Sequence, residues 1–71
     1  MSTKRQIIAA LEGIPDDEPL FLLRAQDCLA DGIVREWADR ARILRVNLSK
    51  IKHAHICADK MAAWPVRKTP D

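Results

Sequence analysis

No stretch of this chain approaches the roughly 18 consecutive apolar residues that a membrane-crossing helix needs. The longest run of large apolar side chains is Leu20 to Leu23. A charged-then-apolar leader ending in a small-residue cleavage site is also missing. The expectation is therefore a cytoplasmic protein that neither is exported nor spans a membrane. Cysteine is scarce, and Cys28 and Cys57 alone do not make a disulfide framework, so both are expected as free thiols. Nor does any motif carry a nucleophile, base and electrophilic partner at catalytic spacing. An enzyme is not expected, and no cofactor is implied.

Length is the other thing in short supply. A chain of 71 residues makes one domain and buries only about 60% of its unfolded surface. A lone core of this size supplies about 3–5 kcal/mol at most, so small chains lean on disulfides, metals or assembly. With the first two unsupported, homo-oligomerisation is the expected source of extra burial.

What is present is a strong asymmetry of charge. Residues 1–34 carry three basic and six acidic side chains, and residues 35–71 carry nine basic and four acidic ones. From Arg40 to Lys52 there are five cations and no acid. Such a division favours an anionic partner for the second half, or attraction between subunits. It is equally compatible with a solvated helix face.

The expected fold is mainly α: three short helices in a single domain over residues 1–65, with 66–71 a loosely ordered tail. Ser2 or Thr3 can cap a first helix to about Glu12, with Ile7, Ile8 and Leu11 on one face and Gly13 ending it. Two prolines and three acids make residues 14–19 a turn. A second helix starts at Asp31, with Val34, Trp37, Ala38, Ala41 and Leu44 inward. Glu36 with Arg40, and Arg35 with Asp39, stand four apart as opposite-charge pairs on its outer face. After a break at "VNLS", Ser49 caps a third helix to about Ala63, with Ile51, Ala54, Ala58 and Met61 inward and Pro65 as its stop.

Residues 20–24 admit two readings. Pro19 could open a helix whose stripe is Phe21, Ala25, Cys28 and Leu29. The short apolar run between turn signals favours a strand instead. The chain offers that strand no partner, and a buried strand cannot leave its backbone unpaired. Pairing is therefore expected across a homo-oligomer interface formed by Leu20, Phe21, Leu22 and Leu23, with Trp64 as a further anchor or stacking platform.

The run "EPLFLLRAQDCLADGIVREWA", followed by "DKMAAWPVRK", resembles a group of short uncharacterised proteins encoded by phages and prophages of bacteria. The resemblance covers about three quarters of the chain and departs from the group at Asp31, where others have proline. It implies a bacterial host cell and a role such as inhibitor, regulator or sponge for immune nucleotides, rather than a reaction.

Candidate ligand-binding residues follow from charge. Arg24, placed after an apolar run, needs a partner. It either pairs with Asp27 or an acid of the turn, or serves as a fork for a phosphate or carboxylate. With Gln26, Arg40, Arg42 and Lys52 it forms the expected site for an anionic, nucleotide-like ligand at or near the subunit boundary. His53 and Cys57 lie four apart on one helix face, but two ligands fall short of the four a structural zinc takes. No metal is expected. Two alternatives stand beside ligand capture. One is DNA binding by a helix-turn-helix with Ser49, Lys50, Lys52 and His53 at the head of a recognition helix. The other is inhibition by docking on a host protein.

Overall fold

The computed structural model describes residues 3–70. Three helices follow in order, α1 (Lys4–Glu12), α2 (Ala30–Ile43) and α3 (Leu48–Ala62), and no sheet forms among the described residues. The mainly helical expectation holds. Thr3 caps α1 through a capping box. Its hydroxyl accepts from the Gln6 amide, and the Gln6 side chain accepts from the Thr3 amide at 3.1 Å. Ser2, the other candidate cap, lies outside the described residues. Gly13 ends the helix as expected.

The core lies between α2 and α3, the one pair of helices in backbone contact. Ala38, Ala41 and Ile51 form its centre, with Val46 and Ala54 packed on them. Alanine at these contacts lets two helices approach closely. Arg35 of α2 bonds Asp59 of α3 at 2.9 Å, while Ala41 meets Ile51 near the other end. Contact at both ends makes the pair an antiparallel hairpin.

Several expectations change here. The Arg35 guanidinium takes Asp59 rather than Asp39, although Glu36 and Arg40 do pair at 2.9 Å. Trp37 and Leu44 were expected inward, yet they stand 51% and 78% exposed. The seam is narrow enough for alanines to fill, so the larger side chains of the same stripe fall at its edge. The cap of α3 is Asn47, whose side chain accepts from the Ser49 amide at 2.9 Å. Ser49 lies inside the first turn and donates its hydroxyl to the same oxygen.

The turn between α2 and α3 is a Schellman closure. The Val46 amide reaches the Ala41 carbonyl and the Arg45 amide the Arg42 carbonyl, both at 3.0 Å. Val46 then packs on Ala41, the apolar contact that accompanies this motif. The closure needs a left-handed residue, and Arg45 takes that role at φ 59° where glycine is usual.

Residues 20–24 carry neither helix nor ladder pairing. The one β-type contact among the described residues is a parallel bridge between Asp27 and Lys68. The tail expected to be loose is therefore tied back: Lys68 donates to the Gln26 carbonyl at 2.7 Å and accepts from the Cys28 amide at 2.9 Å. The segment after α3 supplies the partner that seemed missing from the chain, but for residues 26–28 rather than 20–24.

Burial is thin. Among the described residues only four alanines and Ile51 are buried, and none of them lies in α1. The chain exposes 6145 Å², against about 4,450 Å² for a compact monomer of its 8.0 kDa mass. Its radius of gyration, 12.9 Å, likewise exceeds the about 11 Å of a compact chain this long.

The left-handed arginine generates a stability prediction. Arg45→Gly relieves the backbone at one position without touching the core, and should stabilise by about 1 kcal/mol. In a domain this small that raises the melting temperature by about 4–8 °C. Thermal unfolding followed by circular dichroism measures it, and an unchanged or lower midpoint contradicts a strained turn.

Candidate functional site

Arg67 organises the surroundings of the candidate site. Its Nε donates to the Ala25 carbonyl at 3.1 Å, and its Nη2 donates to the Asp27 carbonyl at 3.0 Å and to the Asp31 carboxylate at 2.8 Å. Both partners of the ion pair are about three-quarters buried, at 22% and 24% side-chain exposure. The hydrogen bond from Arg67 holds the Asp31 carboxyl below its ordinary 3.8, the nearby guanidinium charge adds to the effect, and partial burial opposes it. Asp27 works beside them. Its carboxylate accepts from the Leu29 amide at 2.8 Å and its carbonyl from the Ala30 amide, which starts α2 one residue before the expected Asp31.

Just before this clasp runs a segment, residues 22–25, that lines a cleft together with the C-terminal part of α3. Between that segment, α1 and α3 opens an apolar cleft of about 600 Å³. Its floor is aliphatic and aromatic, with Ile7, Ile8, Leu11, Leu23, Met61 and Trp64. Lys4, Arg24 and Lys60 are the ionisable side chains of charged type on its lining, and no acid stands among them. Cys57 also faces it.

The expected ligand residues divide into two groups. Arg24 lines the cleft and, with Gln26, Asp27 and Lys68, also a smaller hollow of about 160 Å³. The Asp27 carboxylate accepts from the Leu29 amide, so the local Arg24–Asp27 pair is replaced by a backbone bond. Arg40, Arg42 and Lys52 are exposed around the α2–α3 turn. From Ala30 to Arg40 the rise along α2 is about 15 Å, so one chain does not bring the two groups together. Trp64 lines the cleft, whereas Leu20, Phe21 and Leu22 stand 62%, 86% and 73% exposed beside it. Among the described residues no group of three or more His, Cys, Asp or Glu gathers, and His53 is exposed one turn before Cys57, outside the cleft that Cys57 lines. No helix among them is long and apolar enough to cross a membrane.

Lys4, Lys60 and Arg67 were not anticipated. A signal for the cleft did exist in α3, because Cys57, Met61 and Trp64 recur at positions 0, 4 and 7, a second apolar stripe beside that of Ile51, Ala54 and Ala58. Met61 belongs to the second stripe rather than to the core. No family model matches the chain, and no curated protein or solved structure proves similar to it.

The Arg67 clasp carries its own prediction. Arg67→Met removes three hydrogen bonds and should destabilise by about 1–3 kcal/mol, read as a lower denaturant midpoint. Asp31 has a lowered folded value, so its contribution is fully present above 3.8 and fades as the pH falls through the folded value. The stability gap between wild type and Asp31→Asn should therefore narrow between pH 6 and pH 3. A gap constant across that range would show that the ion pair contributes nothing.

Proposed function

We propose that the protein is a non-catalytic, homo-oligomeric binding protein that captures an anionic group carried on an apolar body, and that the cleft between α1 and α3 is the capture site. The observation supporting this is the composition of the lining: an aliphatic and aromatic floor, three cations and no acid. A cation at the margin of an apolar wall is poorly hydrated on one side and attracts an anion more strongly than one in open water. Lysine and arginine stems also extend the apolar wall while holding their charges at its edge. The cleft's about 600 Å³ lies within the range of small-molecule and peptide-side-chain sites. A nucleotide belongs to this class with its base on the floor beside Trp64 and its phosphates on the rim, as does an acidic segment followed by apolar residues. In a phage-type setting such capture serves to sequester a signal or block a host protein in the bacterial cytoplasm.

Oligomerisation is part of the same proposal. The surface in excess of a compact monomer is about 1,700 Å², roughly twice what one partner contributes to a standard interface. Leu20, Phe21 and Leu22 supply its apolar share, and burying each is worth about 1.5–3 kcal/mol.

One observation favours a second reading. Arg45 keeps a left-handed backbone where glycine would be less strained, and strain of this kind clusters at functional positions. With Arg42, Lys50 and Lys52 it makes the turn a point for phosphate contacts along a nucleic acid. The antiparallel α2–α3 pair differs from the crossing of about 90–120° in a helix-turn-helix, so this contact would grip backbone without a recognition helix. A gel shift with random duplex at low salt, comparing wild type with Arg45→Gly, tests it, and absent binding by wild type removes it.

For the cleft, Trp64 is a built-in reporter. Titration with a nucleotide panel, and with an acidic–apolar decapeptide beside its neutral amide analogue, should change tryptophan fluorescence for anionic probes only. Lys60→Glu should weaken that binding about tenfold or more, because one rim charge reverses. Equal response to charged and neutral probes, or none to either, refutes the capture site.

A further inference from the structure

We infer that the natural occupant of the cleft is the Asp16–Leu22 segment of a second copy of the chain, exchanged reciprocally across a twofold axis; this rests on the cleft being the capture site proposed above. The segment has the chemistry the cleft selects. Asp16, Asp17 and Glu18 stand together without an intervening base, and Leu20, Phe21 and Leu22 follow after Pro19. The cleft presents the complement, Lys4, Arg24 and Lys60 over an apolar floor. Acids on the rim and apolar side chains on the floor satisfy both parts at once.

The segment does not fill the cleft of its own chain. It connects the end of α1 to Leu23, two parts of the cleft's wall, and leaves Phe21 86% exposed. Leu22 at its end and Leu23 just beyond it line the cleft of their own chain, so donor and acceptor surfaces are contiguous. Contiguity of two complementary patches is what an isologous contact needs, since one twofold rotation seats both arms together. Two arms and two clefts also account for the surface left over. A compact chain would expose about 1,700 Å² less, and a standard interface takes about 800 Å² from each partner. The same arrangement replaces pairing of residues 20–24 as strands across the axis, because the arm meets a cleft rather than its own copy.

Light scattering with sedimentation velocity tests the inference on the full chain. Wild type should be a dimer at micromolar concentration. Phe21→Asp, at an exposed position, should weaken dimerisation about 100-fold or more, since both arms lose an anchor, while circular dichroism stays unchanged. Charge reversal separates the arm-in-cleft contact from any other dimer. One variant carries Arg24→Glu and Lys60→Glu in the cleft; the other carries Asp16→Lys, Asp17→Lys and Glu18→Lys in the arm. Each alone should be monomeric, and their equimolar mixture should form a heterodimer. A monomeric wild type overturns the inference, and so does a dimer that survives both reversals or a mixture that stays monomeric. The capture site is judged apart from these outcomes by adding the peptide of residues 14–23 to the Phe21→Asp monomer. Binding there with a monomeric wild type leaves the cleft's function standing and only self-occupancy refuted; no binding refutes both.

Discussion

Everything in this small protein is arranged around one guanidinium. Arg67 lies beyond the last helix, yet its three hydrogen bonds reach back to Ala25, Asp27 and Asp31. Two of those acceptors are backbone carbonyls ahead of α2, of which the Asp27 carbonyl also takes the Ala30 amide, and a partly buried site cannot leave such groups unpaired. The third is a carboxylate in the first turn of α2, where it already complements the helix dipole. By fastening the start of α2 to the chain after α3, the clasp closes the open end of the hairpin. The Schellman turn at Arg45 closes the other. With both ends tied, a seam of alanines is enough to hold the helices together.

That economy has a consequence for α1. Alanines fill a narrow seam but offer no broad apolar surface on which a third helix could settle. Helix α1 is well made, with a complete capping box and a clear end, yet local bonding of this kind does not bury side chains. Its Ile7, Ile8 and Leu11 therefore face α3 across an open cleft rather than a packed interface. The same clasp that builds the hairpin holds the chain beside Arg24 of the cleft's lining, three residues before the Asp27 carbonyl that Arg67 binds. Stability and the candidate site thus share one support.

Much of the architecture was legible in the residues. Thr3, Gly13 and the prolines punctuate the chain by local rules that need no tertiary knowledge. The inward stripes of α2 and α3 are also visible, although periodicity alone does not say that Ala38 and Ala41 take the seam while Trp37 remains outside. Seam width is a property of two helices together. The tail was misread for a related reason: "VRKTPD" looks polar and unstructured, and the value of Arg67 depends on carbonyls some 40 residues earlier. A lone arginine carries no local sign of such partners. The strand expected at residues 20–24 rested on a short apolar run between turn signals and its pairing across an interface on the lack of a second strand, whereas the tail supplies a bridge at Asp27.

The candidate site was only half legible because its parts come from three segments, each ordinary by itself. Arg24 stood out as a cation after an apolar run, and Trp64 as an aromatic near a helix end. Lys4 and Lys60 carry no comparable local sign in the sequence. What gives them meaning is that no acid joins them around an apolar lining, whereas three of the six acids of residues 1–34 gather in the exposed connector at Asp16, Asp17 and Glu18. The cleft's cations and the connector's acids thus form two neighbouring surfaces of opposite charge, with Lys4 and Arg24 supplied by the half of the chain that is acidic overall. Like charges grouped on one surface repel and oppose compaction of that surface on itself. They are relieved when the opposite group approaches from outside. A chain too small to bury its apolar connector, with complementary charge on the adjacent cleft, would meet both demands through the intermolecular contact proposed above rather than by folding further.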